Sequence, residues 1–186
     1  MPGRQIIEEH KQHMDKSVQF LQTELRSVRT GRASSGLVEN VMVDYYGSRT
    51  PLKQLATIAT PEPATIVIKP FDPASLKDIE KAIKNSDLSL NPIADAKIIR
   101  LNIPPLSVER RKQLTQQVKQ MGEKTKVGIR NIRRDANKQL DEKEKEKLIT
   151  EDQRDRGKKK IDNLTKEYTE KVDVVIKTKS DEIMSD

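Results

Sequence analysis

The chain has 186 residues, of which 33% are hydrophobic and 35% are charged, and it contains only five aromatic residues. Ordinary soluble domains are about 45–50% apolar and about 25% charged, so the composition argues against one large spherical core. It favours long helices that each bury one apolar stripe. Cysteine is absent, which excludes disulfides and cysteine–zinc sites. The chain begins without the apolar segment of a signal peptide, and no apolar run approaches the roughly 20 residues of a membrane span. We therefore expect a soluble, cytoplasmic protein that has no membrane contact.

The positive charge is concentrated in one segment. Of the 36 basic and 29 acidic residues, nine and two lie in residues 109–134, which leaves 27 of each elsewhere. The entire net charge of +7 therefore belongs to this window. A local basic excess indicates a polyanionic partner more strongly than a diffuse one does.

The first predicted element is a helix over residues 4–30. Apolar residues recur there at steps of three and four, which is the spacing of a helix-bundle seam, at Met14, Val18, Leu21, Leu25 and Val28. Gly31 stands where a C-terminal cap belongs. Eight of the nine prolines lie between Pro51 and Pro105, so long helices are expected only on either side of that region.

The middle of the chain, residues 37–103, reads as a small domain that mixes strands and a helix. The predicted elements are a strand over 37–46, a turn at Gly47-Ser48, a strand over 65–69, a short helix over 75–85 and a last strand over 97–103. The pattern thus predicts a β-α-β arrangement inserted between long helices.

Two more long helices follow. Pro104-Pro105 ends the last strand, and Ser107 is a suitable N-cap for a helix over about 107–147. Thr150 and Gln153 have the spacing of a capping box that would begin a third helix running to the end of the chain.

The predicted fold class is α+β. Residues 1–30 and 105–186 are expected to form an elongated antiparallel three-helix bundle that binds RNA, because no helix with a single apolar stripe is stable alone. Residues 31–104 form the inserted small α/β domain, joined by a two-strand hinge. We expect a monomer.

A row of cations follows the second long helix. Lys112, Lys119, Lys126 and Arg133 are spaced by sevens over about 31 Å of helix, and Arg130 and Asn137 fall beside them. Helical-wheel geometry predicts that the row faces solvent. An ordinary solvated face is the alternative, but the window lacks the acidic residues that usually accompany such a face.

The partner of this row is predicted to be structured RNA. Residues 107–149 contain no aromatic side chain on which single-stranded bases could stack, whereas Lys and Arg along a rigid rod suit the phosphates of folded RNA. A DNA-reading helix stays open, although no helix-turn-helix pattern precedes it.

The sequence offers no catalytic residues, metal site or cofactor site. His10 and His13 lack further ligands, no nucleophile has a base beside it, and no glycine-rich phosphate loop is present. A binding protein rather than an enzyme is expected.

Several short strings, in order, resemble one family. They comprise RTGRAS (29–34), YYG (45–47), TPLKQLA (50–56), EKAI (80–83), LNP (90–92), PPL (104–106), ERRK (109–112) and RNIRRDAN (130–137). Together they closely resemble the bacterial ribosome recycling factors, and the resemblance covers nearly the whole chain.

The resemblance implies an L-shaped fold and a function. Family members bind the ribosome after termination and lie against large-subunit ribosomal RNA. With elongation factor G and GTP they split the subunits and release messenger and transfer RNA, so that translation can restart. They contribute no catalytic group.

The resemblance also implies roles for particular residues. Arg133 is the first candidate for RNA binding. The resemblance also implies this role for Arg130, Arg134, Arg110, Arg111 and Lys112, and the seven-residue row adds Lys119, Lys126 and Asn137 as further candidates. The hinge candidates are Arg29, Thr30, Gly31, Arg32, Pro104 and Pro105, although Arg29 and Arg32 also suit the C-terminal end of a helix simply as cations.

One departure from the family pattern has a structural consequence. Ala96 follows Asp95 where a glycine is common, and a positive φ there would be strained.

Two alternative functions remain open from sequence. A general structured-RNA-binding chaperone would bind any folded RNA with similar affinity. A helical scaffold for another protein would keep its binding at high salt.

Overall fold

The computed structural model describes residues 2–185, with side chains from residue 3. The helices are α1 (Pro2–Arg26), α2 (Leu76–Lys84), α3 (Val108–Lys145) and α4 (Glu151–Met184). The strands are β1 (Met42–Tyr45), β2 (Ser48–Pro51), β3 (Ala56–Glu62), β4 (Thr65–Pro70), β5 (Pro92–Asp95) and β6 (Ile98–Asn102). The predicted α+β class is confirmed.

The chain divides into two compact units. One contains Met1–Leu25 and Thr115–Asp181, and the other contains Arg26–Leu114 and Glu182–Asp186. We call them the bundle unit and the sheet unit. None of the helices within residues 2–185 is long and apolar enough to cross a membrane.

The bundle unit buries the apolar stripes that the sequence spacing predicts. Four of the five predicted seam residues of α1 are buried, namely Met14, Val18, Leu21 and Leu25. On α4, Tyr168 is buried, and its hydroxyl donates a 2.6 Å hydrogen bond to Asp15 of α1. Burial raises the pKa of Tyr168, and the Asp15 carboxylate raises it further. This contact anchors α4 to α1 inside a core that otherwise depends on aliphatic packing.

Helices α3 and α4 run antiparallel and in close contact. Gly122 of α3 lies against Ile176 of α4, whereas Leu140, later in α3, lies against Gly157, earlier in α4. A Cβ on Gly122 would come within 2.6 Å of the Ile176 side chain. The absence of a side chain at Gly122 therefore permits this approach.

Both predicted helix starts are confirmed. The Ser107 hydroxyl accepts a 3.2 Å hydrogen bond from the backbone N–H of Arg110 at the start of α3. At α4, the backbone N–H of Thr150 donates to the Gln153 amide oxygen at 3.0 Å, and the N–H of Gln153 donates to the Thr150 hydroxyl at 3.3 Å. These reciprocal bonds are a capping box, which satisfies amide groups that a helix leaves without partners.

The predicted end of the first helix is wrong. The sequence pattern extends it to residue 30, but α1 ends at Arg26. The Arg29 guanidinium donates a 2.6 Å hydrogen bond to the Pro104 carbonyl, and Thr30 is buried. This tertiary contact holds residues 29–30 in a non-helical path. Gly31 has φ 88°, but it lies five residues beyond the helix end rather than at its cap.

The sheet unit contains more strands than the sequence predicts. β1 and β2 form an antiparallel hairpin, and the other strands form an antiparallel sheet in the order β3-β4-β6-β5. The predicted β-α-β order is present as β4, α2 and β6, with β5 placed before β6. The two sheets and α2 share one aliphatic core, in which Val43, Ile66, Ile68, Ile79, Ile83, Ile99 and Leu101 have no exposed surface.

Two strand predictions need correction. Residues 37–46 are not one strand, because Ser34 caps a short 3-10 helix (Ser35–Leu37), and β1 starts only at Met42. β2 was not predicted, and neither were β3 and β5, which contain Pro61 and Pro92. β3 and β5 lie at the edges of the sheet, where proline can be tolerated because some N–H groups need no partner strand.

Two of the three hairpin turns of this unit contain residues with positive φ. In the first, Tyr46 and Gly47 have φ 48° and 79°, and Ser48 already belongs to β2. In the β5–β6 turn, Ala96 has φ 28°. The predicted strain at Ala96 is therefore confirmed, because positive φ disfavours residues that carry a Cβ.

Candidate nucleic-acid interface

The cations of α3 fall into two groups that the sequence could not separate. Lys112, Lys119, Arg130 and Arg134 are exposed. Among the described residues, Lys112, Lys119 and Arg134 form no ion pair, and Arg130 makes only a long 3.9 Å contact with Glu123. These four side chains are available to an external anion.

Lys126 does not face solvent as the helical wheel predicts. Only 16% of its side chain is exposed, and its Nζ lies 2.5 Å from Asp173 of α4 and 3.1 Å from Glu123. The hydrogen bond to Asp173 raises the pKa of Lys126, while burial opposes that increase. The expectation that the row lacks acidic partners is therefore wrong at this position, because α4 supplies a partner from a distant part of the sequence.

Arg133 lies at the border between the α3–α4 contact and solvent. Its side chain is 40% exposed, and its Nη1 is 3.9 Å from Asp162 of α4. An exact seven-residue spacing drifts by about 20° per heptad around a straight helix. The row therefore turns from exposed Lys112 toward the α4 side by the time it reaches Lys126 and Arg133.

The first turn of α3 uses one of its cations structurally. Arg111 is half-buried, and its guanidinium donates to the carbonyls of Leu106 at 3.3 Å and of Met184 at 3.5 Å. Arg110 is exposed and donates to the Gln113 side chain at 3.1 Å. Of this predicted pair, Arg110 is the more accessible to a phosphate.

Asn137 lies in a shallow groove on α3. Its side-chain oxygen is buried and has no hydrogen-bond partner among the described residues. The groove is also lined by four cations and two carboxylates, and Lys138 lies 3.9 Å from one of the latter, Glu142; the lining residues are Arg133, Arg134, Lys138, Lys145, Asp141 and Glu142. The charge count missed Lys138 and Lys145, because acidic residues share their segment and cancel their contribution to the net charge. Their repeated position beside Arg134 on the wheel was the signal that could have identified them.

The predicted hinge residues lie in the two segments that connect α1 and α3 to the strands. The Arg29–Pro104 hydrogen bond joins these segments. Burial lowers the pKa of Arg29, and the charge of Arg110 adds to this effect. Gly31 has the positive φ that a residue without a side chain adopts at little cost.

The two histidines lie close to each other on α1, where one of them is buried. His10 is buried, and its Nδ1 lies 2.8 Å from the Ile6 carbonyl, with the His13 ring at 5.7 Å. Over residues 2–185, no group of three or more His, Cys, Asp or Glu residues could hold a metal ion.

Comparison with known proteins identifies the family. The family model described as ribosome recycling factor matches residues 21–184. The ribosome-recycling factor of Natranaerobius thermophilus is 47% identical over 97% of this chain and 98% of its own length. That of Geobacillus thermodenitrificans is 48% identical over 98% of both chains.

Solved structures of ribosome recycling factors share the fold. A solution structure of the ribosome recycling factor matches with a TM-score of 0.78 and 37% identity, and the match covers 100% of this chain and 99% of the other. The T. thermophilus factor, in models with E. coli elongation factor G bound to the E. coli post-termination complex, matches with a TM-score of 0.69 and 41% identity. That match covers 99% and 100% of the two chains. The strings noted in the sequence, the α+β fold and these full-length similarities agree, and the chain belongs to the ribosome recycling factor family.

Proposed function

We propose that this protein is a ribosome recycling factor that acts in the cytoplasm as a monomer. It binds the post-termination ribosome through large-subunit ribosomal RNA. With elongation factor G and GTP it splits the subunits and releases messenger and transfer RNA, so that translation can restart.

The observation that carries the proposal is the similarity to ribosome-recycling factors over essentially the whole chain. A relative of 41% identity has been described together with elongation factor G on a post-termination complex. The cations of α3 add independent support, because they can contact the phosphates of ribosomal RNA without reading its bases.

In the proposed mechanism, attachment is electrostatic. The exposed cations Lys112, Lys119, Arg130 and Arg134 contact phosphates first, and Arg110 extends the contact at the start of α3. Arg133 and Lys126 lie beside α4, where they pair with Asp162 and Asp173, so each must exchange its carboxylate for a phosphate to join the contact.

Subunit separation requires work that this chain does not perform itself. In the proposal, elongation factor G hydrolyses GTP, and this protein supplies a rigid RNA-binding helix together with connecting segments that let the strands and α2 follow the push. The connecting segments are residues 29–32 with Pro104 and Pro105. The protein thus acts as a binding factor and contributes no catalytic group.

A subunit-splitting assay tests the function directly. Post-termination ribosomes are mixed with this protein, elongation factor G and GTP, and separation is followed by light scattering. We expect splitting only when all three components are present. Splitting that is equally fast without this protein, or without elongation factor G, would contradict the proposal.

A general structured-RNA-binding chaperone is the second candidate, since the exposed cations of α3 could contact the phosphates of any folded RNA. It predicts similar affinity for an unrelated structured RNA and for the large subunit. Ribosome recycling predicts a clear preference for the large subunit in a direct competition experiment.

A further inference from the structure

We propose that Glu123 is an internal competitor for RNA phosphates that limits how tightly and for how long α3 holds the ribosome. The inference rests on the proposed function and concerns the same face of α3. In this proposal, an acidic residue within the binding surface lowers the affinity for RNA.

The position of Glu123 is unusual for its charge. It is the only acidic residue in the stretch from Lys112 to Arg134, which contains seven basic residues including those two ends. Its side chain is 65% exposed. One carboxylate oxygen lies 3.1 Å from the Lys126 Nζ, and the other lies 3.9 Å from the Arg130 Nη2. A phosphate that approaches Arg130 therefore meets a like charge that already contacts the same guanidinium.

The ion pairs of Glu123 are not needed for the fold. Lys126 is already paired with Asp173 at the shorter distance of 2.5 Å, so it stays compensated without Glu123. The contact with Arg130 is long and exposed, and exposed ion pairs contribute little net stability. Lys119, one turn earlier, forms no ion pair with Glu123, and the Lys-before-Glu order is the less favourable one in a helix.

The three carboxylates near the row therefore have different consequences. Asp173 and Asp162 lie on α4 and hold Lys126 and Arg133 beside the α3–α4 contact. Glu123 lies on α3 itself, among the exposed cations. To gain a phosphate, Arg130 must leave Glu123, and the carboxylate then remains as an uncompensated charge close to the RNA. This repulsion lowers the affinity and accelerates release, which suits a factor that must leave the ribosome after each round.

The test uses the full-length protein with a fluorescent label and purified large ribosomal subunits. The variants are Glu123→Gln, which removes the charge, and Glu123→Asp, which retains it. Glu167→Gln is the matched control. Glu167 is 56% exposed and pairs with Lys171 within α4, so this variant changes the net charge equally at a site away from the α3 row. The dissociation constant and the dissociation rate are measured over a series of KCl concentrations.

We expect Glu123→Gln to bind about threefold to tenfold more tightly and to dissociate more slowly by a similar factor, because Arg130 then holds its phosphate without a like charge beside it. Glu123→Asp and Glu167→Gln should behave like the unmodified protein. Glu123→Ala should reproduce the effect of Glu123→Gln, because the charge rather than the amide is responsible.

Equal tightening by Glu123→Gln and Glu167→Gln would overturn the inference, since net charge alone would then explain the result. Weaker binding by Glu123→Gln would also overturn it, because Glu123 would then position the cations for binding. Both results would leave the proposed function intact if the unmodified protein still binds large subunits and splits ribosomes. Failure of the unmodified protein in those assays would instead reject the function.

Discussion

Helices α3 and α4 are similar in length and rich in basic residues, but they differ in how that charge is balanced. α3 has twelve basic and six acidic residues, and α4 has nine of each. On α4, Arg156 pairs with Asp152 and Lys171 with Glu167 within the helix. The comparison teaches that a binding face is indicated by an excess of exposed cations over the acidic residues of the same helix rather than by the number of Lys and Arg residues.

The connection between these helices, residues 141–156, reinforces this point. Arg154 near the start of α4 lies within 4 Å of four carboxylates, which belong to Asp141, Glu144, Glu151 and Asp155. Hydrogen bonding to Asp155 raises the pKa of Arg154. This arginine is therefore occupied within the bundle unit, whereas Arg134 on α3 has no acidic partner among the described residues.

The largest expected effect comes from removing the exposed cations of α3. Replacing Lys119, Arg130 and Arg134 together with Gln should weaken binding to large subunits roughly a hundredfold and reduce the salt slope by about 2 to 3, because up to three phosphate contacts are lost. Salt-dependent binding measurements check both values.

The matched control for that variant lies on α4. Lys159, Lys160 and Lys166 are exposed and form no ion pair among the described residues. Replacing these three with Gln removes the same charge from a balanced helix, and binding should fall by less than about threefold, since only the long-range attraction changes. Equal losses from the two triple variants would remove the distinction between the helices.

The next largest effect is expected on the free energy of unfolding, from a substitution in α4. Tyr168→Phe removes the hydrogen bond to Asp15 and should lower the free energy of unfolding by about 1.5–3 kcal/mol, because the acceptor is charged. Thermal or urea denaturation measures this change, and binding to large subunits at a temperature where the variant is folded should not change. A loss of affinity in the folded variant would show that α4 also contributes to the interface.

Arg133→Ala should give an intermediate effect on binding. Its ion pair with Asp162 is long and partly exposed, so the free energy of unfolding should change by less than about 1 kcal/mol. Binding should weaken about tenfold if the side chain contacts a phosphate or ribosomal base. Arg156→Ala, which removes an ion-paired arginine from α4, is the control and should leave binding unchanged.

The smallest expected effect lies outside both helices. Ala96→Gly should stabilise the sheet unit by about 0.5–1 kcal/mol, because glycine adopts positive φ without the steric cost of a Cβ. Gly47→Ala should change stability in the opposite direction, since Gly47 has φ 79°. Denaturation curves measure both changes, and neither variant should alter the salt slope of ribosome binding.

Much of the fold could be predicted from short-range patterns. The steps of three and four in α1 correctly identified Met14, Leu21 and Leu25 as buried, and Ser107 and Thr150 marked the starts of α3 and α4. The missed strands β3 and β5 contain Pro61 and Pro92. Proline is tolerated in these strands because they lie at the edges of the sheet, and no local sequence pattern encodes that position.

The sequence by itself determined the long helices, the location of the net charge and the family, because helical periodicity, charge and characteristic strings are all local properties of the chain. Only the tertiary structure decided where α1 ends and which cations are available. Arg29 bonds to Pro104 instead of continuing α1, and Asp173 occupies Lys126, although each partner is tens of residues away along the chain. The physical reason is that packing brings together groups whose separation in sequence carries no signal, and only their contact reveals whether a charge is already compensated.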